Sequence, residues 1–479
     1  MRVVERLRAV WNGSLRLDIS VRDVFSLTLL LGLATVLLFF RLGEGSLADY
    51  DEATYAQIAK EALRTNDWLT PHWNGVPIFD KPPLSMWLTA LAYKVFGINE
   101  FAARFWSAAF GLGVVVITYA IGRMLFGWVA GLGGALLLLT VQNTPHSYGY
   151  NFVALSRQGM LDSTLIFWLC LAALLAWKGR ERPRCWVWMG VPLGLALMTK
   201  SAAALVHYGI ITLYLFLSQG PRLFRRAEFW AGLGVSALIG LPWYLYQLVI
   251  HGYEFFFRFV ILHIFGYASG WQGHTETTPW FYLGVIRNGF PVSWLAMIPA
   301  AGYGLWQVIY KRGYQWLLLL CWVVVPLILF SAANTRIAWY IQPTYPALAL
   351  LIAGLITRLF RGGWGILVIG ILVAFGLRLP MVGDLSADVK RVAQEARCLA
   401  GPDGEYLIFW RDAPIPRPSA LYYLDAARFA ATEEDLVMQL PETAYIVTDV
   451  VSWDGMERWG NIVYRAGNEL LVVPRRNGR

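Results

Sequence analysis

Residues 49–81 concentrate side chains suited to acid–base work and anion binding. Asp49-Tyr50-Asp51-Glu52 opens a helical pattern. Tyr55, Ile58, Ala59, Ala62 and Leu63 share one face, and Asp51, Thr54, Gln57, Lys60, Glu61 and Arg64 share the other. Asp49 and Glu52 fit a D-x-x-E capping box, which accounts for two carboxylates without chemistry. Asp51 is left inside the first turn, unexplained by the capping box, and its carboxylate at the membrane interface is a candidate for function. Downstream, Ile78-Phe79-Asp80-Lys81-Pro82-Pro83-Leu84 sets a lysine before two prolines that suit a helix start. A cation there opposes the helix dipole, so an anion such as phosphate is expected beside Lys81. Asp162, Lys200, Arg336 and Tyr340 are polar residues at the edges of other apolar runs. Each also has a purely structural reading: Asp162 as a helix cap, Lys200 as a snorkelling side chain, and Arg336 and Tyr340 as interface anchors. Glu52, Tyr55, His263 and His274 complete the candidates, the two histidines lying in an aromatic-rich stretch where a hydrogen-bonded structural role is common.

The elements that must position these residues are membrane helices. Of 479 residues, 57% are hydrophobic and 15% charged, against roughly 25% charged in soluble domains. About 20 apolar residues cross a hydrocarbon core of roughly 30 Å. Eleven runs are candidates: 24–41, 101–122, 126–144, 161–177, 185–199, 202–218, 229–250, 281–306, 315–331, 340–357 and 363–379. The first, Phe25 to Phe40, exceeds a signal-peptide core and is expected to stay as a helix. The net charge of +9 is topological. Basic residues gather in alternate loops: Arg2 to Arg22, Arg123, Lys178 to Arg184, Arg222 to Arg226, Lys311 with Arg312, and Arg358 with Arg361. That bias puts the N-terminus in the cytoplasm, and eleven crossings then put 380–479 outside, with no nucleic acid as partner. The outer face receives 42–100, 145–160 and 251–280. In the first of these the amphipathic helix from Asp51, and a second run from Leu84 to Phe96 too short to span, are expected to lie in the interface. Cys170, Cys185, Cys321 and Cys398 offer no disulfide framework. The tail reads as a small α/β domain, with a helix near Ala387–Leu399 and strands at Tyr406–Trp410, Ala444–Thr448 and Leu470–Val473.

"DYDEATYAQIAKEAL" followed by "NDWLTPHWNGVPIFDKPPLSMWLTALAYKVFG" resembles the first outer loop of the GT-C membrane glycosyltransferases. The likeness is to their protein O-mannosyltransferase-like group, which includes the lipid A aminoarabinose transferases. "MLDSTLIFW", "LMTKSAAAL", "HIFGYASGWQGHTETTPWFYL" and "TRIAWYIQPTYPALALL" extend it over roughly residues 45–350. The resemblance implies a GT-C fold of about 11 transmembrane helices over 1–379, with an extracytoplasmic α/β domain over 380–479. It implies an enzyme of the cell membrane that moves a sugar from a polyprenyl-phosphate carrier to a lipid A-like glycolipid, an envelope glycan or a protein. Asp51 and Asp162 would match the family's acidic residues, and Lys81, Lys200, Arg336 and Tyr340 its contacts to the donor phosphate. No cofactor is required on this reading.

The chain departs from the group's pattern in two places. Ala53-Thr54 stands where the group shows an arginine, and Gly266-Tyr267-Ala268 follows His263 where another arginine is usual. Some relatives hold zinc through the acidic residue before the lysine and two histidines. Asp80 and His263 supply two ligands here, short of the three expected for zinc. Two competing readings stand beside the enzyme. A transporter or flippase of a polyprenyl-linked glycan would show internal repeats and broken helices at mid-membrane. A glycan-binding membrane protein would not need Asp51, Asp162 and Lys81 together.

Overall fold

The computed structural model describes residues 20–140, 151–269, 278–290, 293–360, 364–377, 384, 386–401, 404–411, 417–425, 427–440 and 443–475. Each of the eleven apolar runs overlaps helical structure, the run 281–306 being divided between two helices. In chain order these include α1 (Val21–Phe39), α2 (Asp51–Thr65), α3 (Leu84–Phe96), α4 (Glu100–Phe126), α5 (Trp128–Leu139), α6 (Phe152–Ser156), α7 (Asp162–Lys178), α8 (Arg184–Leu197) and α9 (Ser201–Gln219). α10 (Ala227–Phe255) runs on as a π-helical segment, Phe256–Phe265. After it come α11 (Phe281–Gly289), α12 (Met297–Lys311), α13 (Tyr314–Ala332), α14 (Tyr345–Leu359) and α15 (Trp364–Gly376). Among the described residues six helices are long and apolar enough to cross a membrane, or seven if the bent pair Phe281–Gly289 and Ser293–Lys311 is one span. The rest are shorter than the runs suggested, because a turn such as the one at Lys200 ends a helix before its apolar stretch is exhausted.

Small residues set how closely α8 and α10 approach. A Cβ on Gly190 would lie 2.0 Å from the Gly232 carbonyl oxygen, and one on Gly194 would lie 2.8 Å from that of Ser236. The spacing Gly190-x-x-x-Gly194 therefore works as a small-residue stripe of the kind that lets membrane helices touch backbone to backbone. This contact fixes the helix that ends just before Lys200 against the helix that leads to His263.

The segment between α1 and α4 forms a cap: α2, a short hairpin of β1 (His72–Trp73) and β2 (Val76–Pro77), and α3. The interfacial reading of α2 needs correction. Its apolar face packs on α3 and α4, but its polar face does not lie open, because Gln57, Lys60 and Glu61 are buried. That face is covered by the C-terminal domain.

The C-terminal domain begins with α16 (Ala387–Ala400) and places α17 (Pro418–Leu424) and α18 (Glu433–Gln439) between its strands. β3 (Tyr406–Phe409), β4 (Arg428–Ala430), β5 (Tyr445–Asp449), β6 (Gly460–Ala466) and β7 (Glu469–Pro474) make one sheet in the order β4-β3-β5-β7-β6. The first three strands are parallel and the last two antiparallel. Alternation along β3 sends Tyr406 and Ile408 to the face under α16 and α17, and Leu407 and Phe409 to the face under Leu436 and Trp453. Leu47 N–H donates to the Tyr423 hydroxyl (2.9 Å), Asn74 Nδ2 donates to the Ala427 carbonyl (2.7 Å), and Trp73 stacks on Phe429 at 5.4 Å. The cap and the sheet are thus one packed unit.

Glu469, at the start of β7, is 5% exposed. One oxygen lies 3.1 Å from Arg417 Nη2, and the other has no hydrogen-bond partner. Burial pushes its carboxyl up to about 7. Arg417 opposes the rise, and Asp449, Asp49 and Asp388 add to it. The folded protein therefore keeps a proton that the unfolded chain has lost above 4.5, so Glu469 lowers stability progressively as pH rises from there to about 7. Glu469→Gln should flatten that decline. Unfolding midpoints of the detergent-solubilised protein, measured across this interval, check it; an unchanged slope counts against the assignment.

Candidate active site

Three turns converge at one place. The turn that carries Lys81 is anchored by Phe79, which is 1% exposed and packs with Met198, Trp243, Phe255 and Phe259. The first N–H of α3, at Leu84, donates to the Met198 carbonyl (3.3 Å), tying this turn to the one that ends at Lys200. Trp243 Nε1 and Gln247 Nε2 both donate to the Leu69 carbonyl, at 2.8 and 2.7 Å, so α10 grips the cap from the other side. Its π-helical continuation carries His263, and π segments are frequent at functional sites.

Lys200 precedes α9 and Asp162 opens α7. The Lys200 ammonium lies 2.8 and 3.0 Å from the two Asp162 oxygens, with both residues buried. Asp162 makes no side-chain cap of its own helix. The same ammonium sits 5.2 Å from the centre of the Tyr340 ring. Lys81 Nζ lies 2.8 Å from His263 Nε2. Burial pulls the Lys81 ammonium down to about 8. Lys200 adds to the drop, while Asp80, Asp51 and Asp162 oppose it.

These groups line one cavity of about 210 Å³. Lys81, Lys200, Asp162, His263 and Tyr340 supply its polar part, and Leu165, Val206, Ile264, Pro326 and Phe330 make apolar walls. A chamber lined by two ammonium groups and by hydrocarbon side chains suits a lipid phosphate: charge-assisted bonds for the head, apolar contact for the chain. Three further polar residues also line it: Ser201, His207 and Thr335. Among the described residues, Thr335 Oγ1 and His207 Nδ1 are buried without a hydrogen-bond partner. Helical spacing from Lys200 would have found His207, seven residues on and on the same face.

Asp51 lies outside the cavity lining, within electrostatic reach of Lys81. It is half-buried, and among the described residues its carboxylate takes no hydrogen bond or ion pair. The expected capping box does not form. The residue before α2 is Tyr50, with no side-chain cap. Asp49 turns away to the C-terminal domain, where it accepts from Arg417 Nη1 (2.9 Å) and Ser419 N–H (3.0 Å). Glu52 instead becomes a buried hub. Its carboxylate accepts from Arg104 Nε (2.8 Å), Gly159 N–H (2.8 Å) and Ala48 N–H (2.7 Å).

Arg336 is not brought to the cavity with the two lysines. Its guanidinium donates to the carbonyls of Thr278 (2.7 Å), Ser331 (2.9 Å) and Ala333 (3.3 Å), closing the end of α13, while its neighbour Thr335 faces the chamber. Tyr55 is buried in the core of the cap. Asp80 is exposed, and among the described residues no three His, Cys, Asp or Glu side chains gather as a metal site. His274 lies outside the described residues.

A cap, a chamber lined by two lysines and apolar side chains, and a sheet domain packed on the cap are the architecture of a GT-C type of membrane protein. The comparisons agree. Residues 80–246 match the family described as dolichyl-phosphate-mannose-protein mannosyltransferase. The chain is 31% identical over 324 residues to undecaprenyl phosphate-alpha-4-amino-4-deoxy-L-arabinose arabinosyl transferase 1 of Pseudomonas fluorescens, covering 65% of this chain and 56% of that one. It is 32% identical over 349 residues to the transferase of the same description from Pectobacterium carotovorum, covering 69% and 59%. The chain thus spans somewhat more than half the length of these curated relatives. In structure it is similar to ArnT from Cupriavidus metallidurans bound to undecaprenyl phosphate, with a TM-score of 0.73 and 18% identity over 94% of this chain and 98% of that one. It is less similar to the Archaeoglobus fulgidus oligosaccharyltransferase, with a TM-score of 0.55 and 14% identity over 88% and 68%. The resemblance to the protein O-mannosyltransferase-like group is borne out, and the fold is GT-C.

Glu52→Gln should destabilise the whole protein, since it leaves the Arg104 guanidinium buried without a counter-charge, at a cost of roughly 3–5 kcal/mol. The yield of folded protein extracted from membranes, and its unfolding midpoint, measure the effect. An equally stable Glu52→Gln protein would show that Arg104 is held by its carbonyl contacts alone.

Proposed function

We propose that the chain is a glycosyltransferase that takes a sugar from a polyprenyl-phosphate carrier and delivers it, with inversion, to an acceptor outside the cytoplasm. The carrying observation is the chamber that Lys81 and the Lys200–Asp162 pair line together with apolar side chains, with Asp51 near Lys81 and, among the described residues, without a hydrogen bond or ion pair. The donor phosphate lies against Lys81 and Lys200, with Tyr340 at its edge. The acceptor hydroxyl attacks the anomeric carbon, the bond from that carbon to the phosphate oxygen breaks, and the polyprenyl phosphate leaves with its charge stabilised by the two cations. Asp51 orients the hydroxyl and takes its proton. Asp162 holds the Lys200 ammonium in place. Residues 1–379 form the membrane catalytic domain and 380–479 an extracytoplasmic domain. The relatives' described donor, undecaprenyl phosphate aminoarabinose, is the first substrate to offer, with a lipid A-type acceptor.

Asp51→Asn should lower turnover by about 100- to 10,000-fold while leaving membrane insertion unchanged; a variant that retains most of the turnover removes Asp51 from the mechanism. Lys81→Ala should impair use of the polyprenyl-phosphate sugar whichever acceptor is offered. Mass analysis of lipids and envelope glycans, from cells with and without the gene, identifies sugar and acceptor. For topology, a reporter active only in the cytoplasm and fused after Arg479 should be silent. Signal there would place the site on the wrong side of the membrane.

A further inference from the structure

The C-terminal domain reaches the catalytic loop through one short helix. α17 lies beside α2, and its two ends are held by polar contacts from the cap. At its start, Asp49 accepts from Arg417 Nη1 and from the Ser419 N–H and hydroxyl. At its far end, Lys60 donates to the Tyr422 carbonyl (3.0 Å) and pairs with Asp425 (2.7 Å). Arg417 is itself fixed: its guanidinium stacks 3.8 Å from the centre of the Trp410 ring, and its second nitrogen pairs with Glu469.

Asp49 is two residues from Asp51. The residue between them, Tyr50, holds φ +66°, ψ −120°, although it is not glycine and its side chain is 67% exposed. No packing of the Tyr50 ring explains that conformation. Such strain persists only where the flanking residues leave no alternative. The flanking restraints are visible: Arg417 and Ser419 hold Asp49 on one side, and the Glu52 hub holds the start of α2 on the other. The direction in which Asp51 leaves the backbone is set by those two restraints.

We propose that Arg417 is a positioning residue for the transfer reaction, acting through Asp49 to place the Asp51 carboxylate. The proposal rests on the reading of Asp51 as the acceptor-side carboxylate. It makes the C-terminal domain part of the catalytic machinery and not only a platform above it.

The test uses the full-length protein and separates positioning from docking. Arg417→Gln should lower kcat on the order of 100-fold, the cost of moving a reacting group by about 1 Å. Its KM for the polyprenyl-phosphate donor should stay near the wild-type value, because the phosphate-binding lysines are untouched. Arg417→Lys should recover part of the loss. Asp49→Asn added to Arg417→Gln should cost little more, since both remove one linkage. Lys60→Gln, at the other end of the same helix and nine residues along the chain from Asp51, loosens docking without touching Asp49 and should keep kcat within about twofold, inside the scatter of independent sites. Arg417→Gln with wild-type kcat, or Lys60→Gln losing as much kcat as Arg417→Gln, overturns the positioning role. An Asp51→Asn protein that turns over normally overturns the reading of Asp51 itself. A fully active Arg417→Gln beside an inert Asp51→Asn overturns the positioning role alone.

Discussion

The buried pair of Glu52 and Arg104 is the constraint on which the rest of the site depends. Arg104 stands on α4 and, besides Glu52, donates to the carbonyls of Leu42 (3.1 Å), Glu44 (3.0 Å) and Ser46 (2.7 Å). One guanidinium thereby folds the chain leaving α1 back over the membrane helices. Glu52 in turn accepts from Gly159 N–H, three residues before Asp162. Two charges taken out of water are stable only when their remaining donors and acceptors are filled, and here nearly all are filled by backbone groups of the loops they position. The carboxylate that starts α2 and the carboxylate that starts α7 are therefore registered against each other through a single pair. A structural ion pair, invisible as chemistry, is what makes the chemistry geometrically defined.

The cavity shows why two lysines are used and why they are treated differently. Lys200 is neutralised by a carboxylate at 2.8 Å, so its burial is compensated with the chamber empty or filled. Lys81 sits against an imidazole nitrogen, and burial weakens its hold on its proton. On the proposed reading, the donor phosphate would supply the negative charge that reverses that penalty, so that binding and protonation of Lys81 would reinforce each other. Low polarity along the walls strengthens both contacts without adding any group.

Legibility in the sequence followed physical cause. The apolar runs, the Lys81 turn and three of the sheet's strands could be read because hydropathy and β-branched runs are local signals. β4 and β6 could not: β4 is three residues long at a sheet edge, and β6 carries a register irregularity between Ile462 and Tyr464. Edge strands lack the two-sided apolar pattern that marks central ones. The polar face of α2 was legible as polar, but not what covers it, since a buried hydrogen-bonded face and a wet one have the same composition. Asp49 and Glu52 had the spacing of a capping box, yet their partners lie at Arg417 and Arg104, far along the chain. The partners of Arg336 were hidden in the same way. Its type suits a phosphate, but three carbonyls at the end of α13 compete for its planar fork and hold it.

The arrangement also separates the two halves of a transfer reaction. The groups around the chamber come from membrane helices, from the turns that join them and from the Lys81 turn, which is held by Phe79, while α8 and α10 are held together by the glycine stripe. Asp51 comes from the cap, and the cap is held by the C-terminal domain through Asp49, Gln57, Lys60 and Asn74. On the proposed reading, the donor side is thus bound to the membrane scaffold and the acceptor side to the cap and sheet. A different acceptor can then be accommodated by reshaping the sheet domain and its contacts with α2, leaving the phosphate chamber as it is. The polar seam between α2 and α17 is what permits such change. Directed hydrogen bonds there add to an apolar cluster shared by the cap and the sheet domain, so a few polar side chains fix the register of surfaces that already pack.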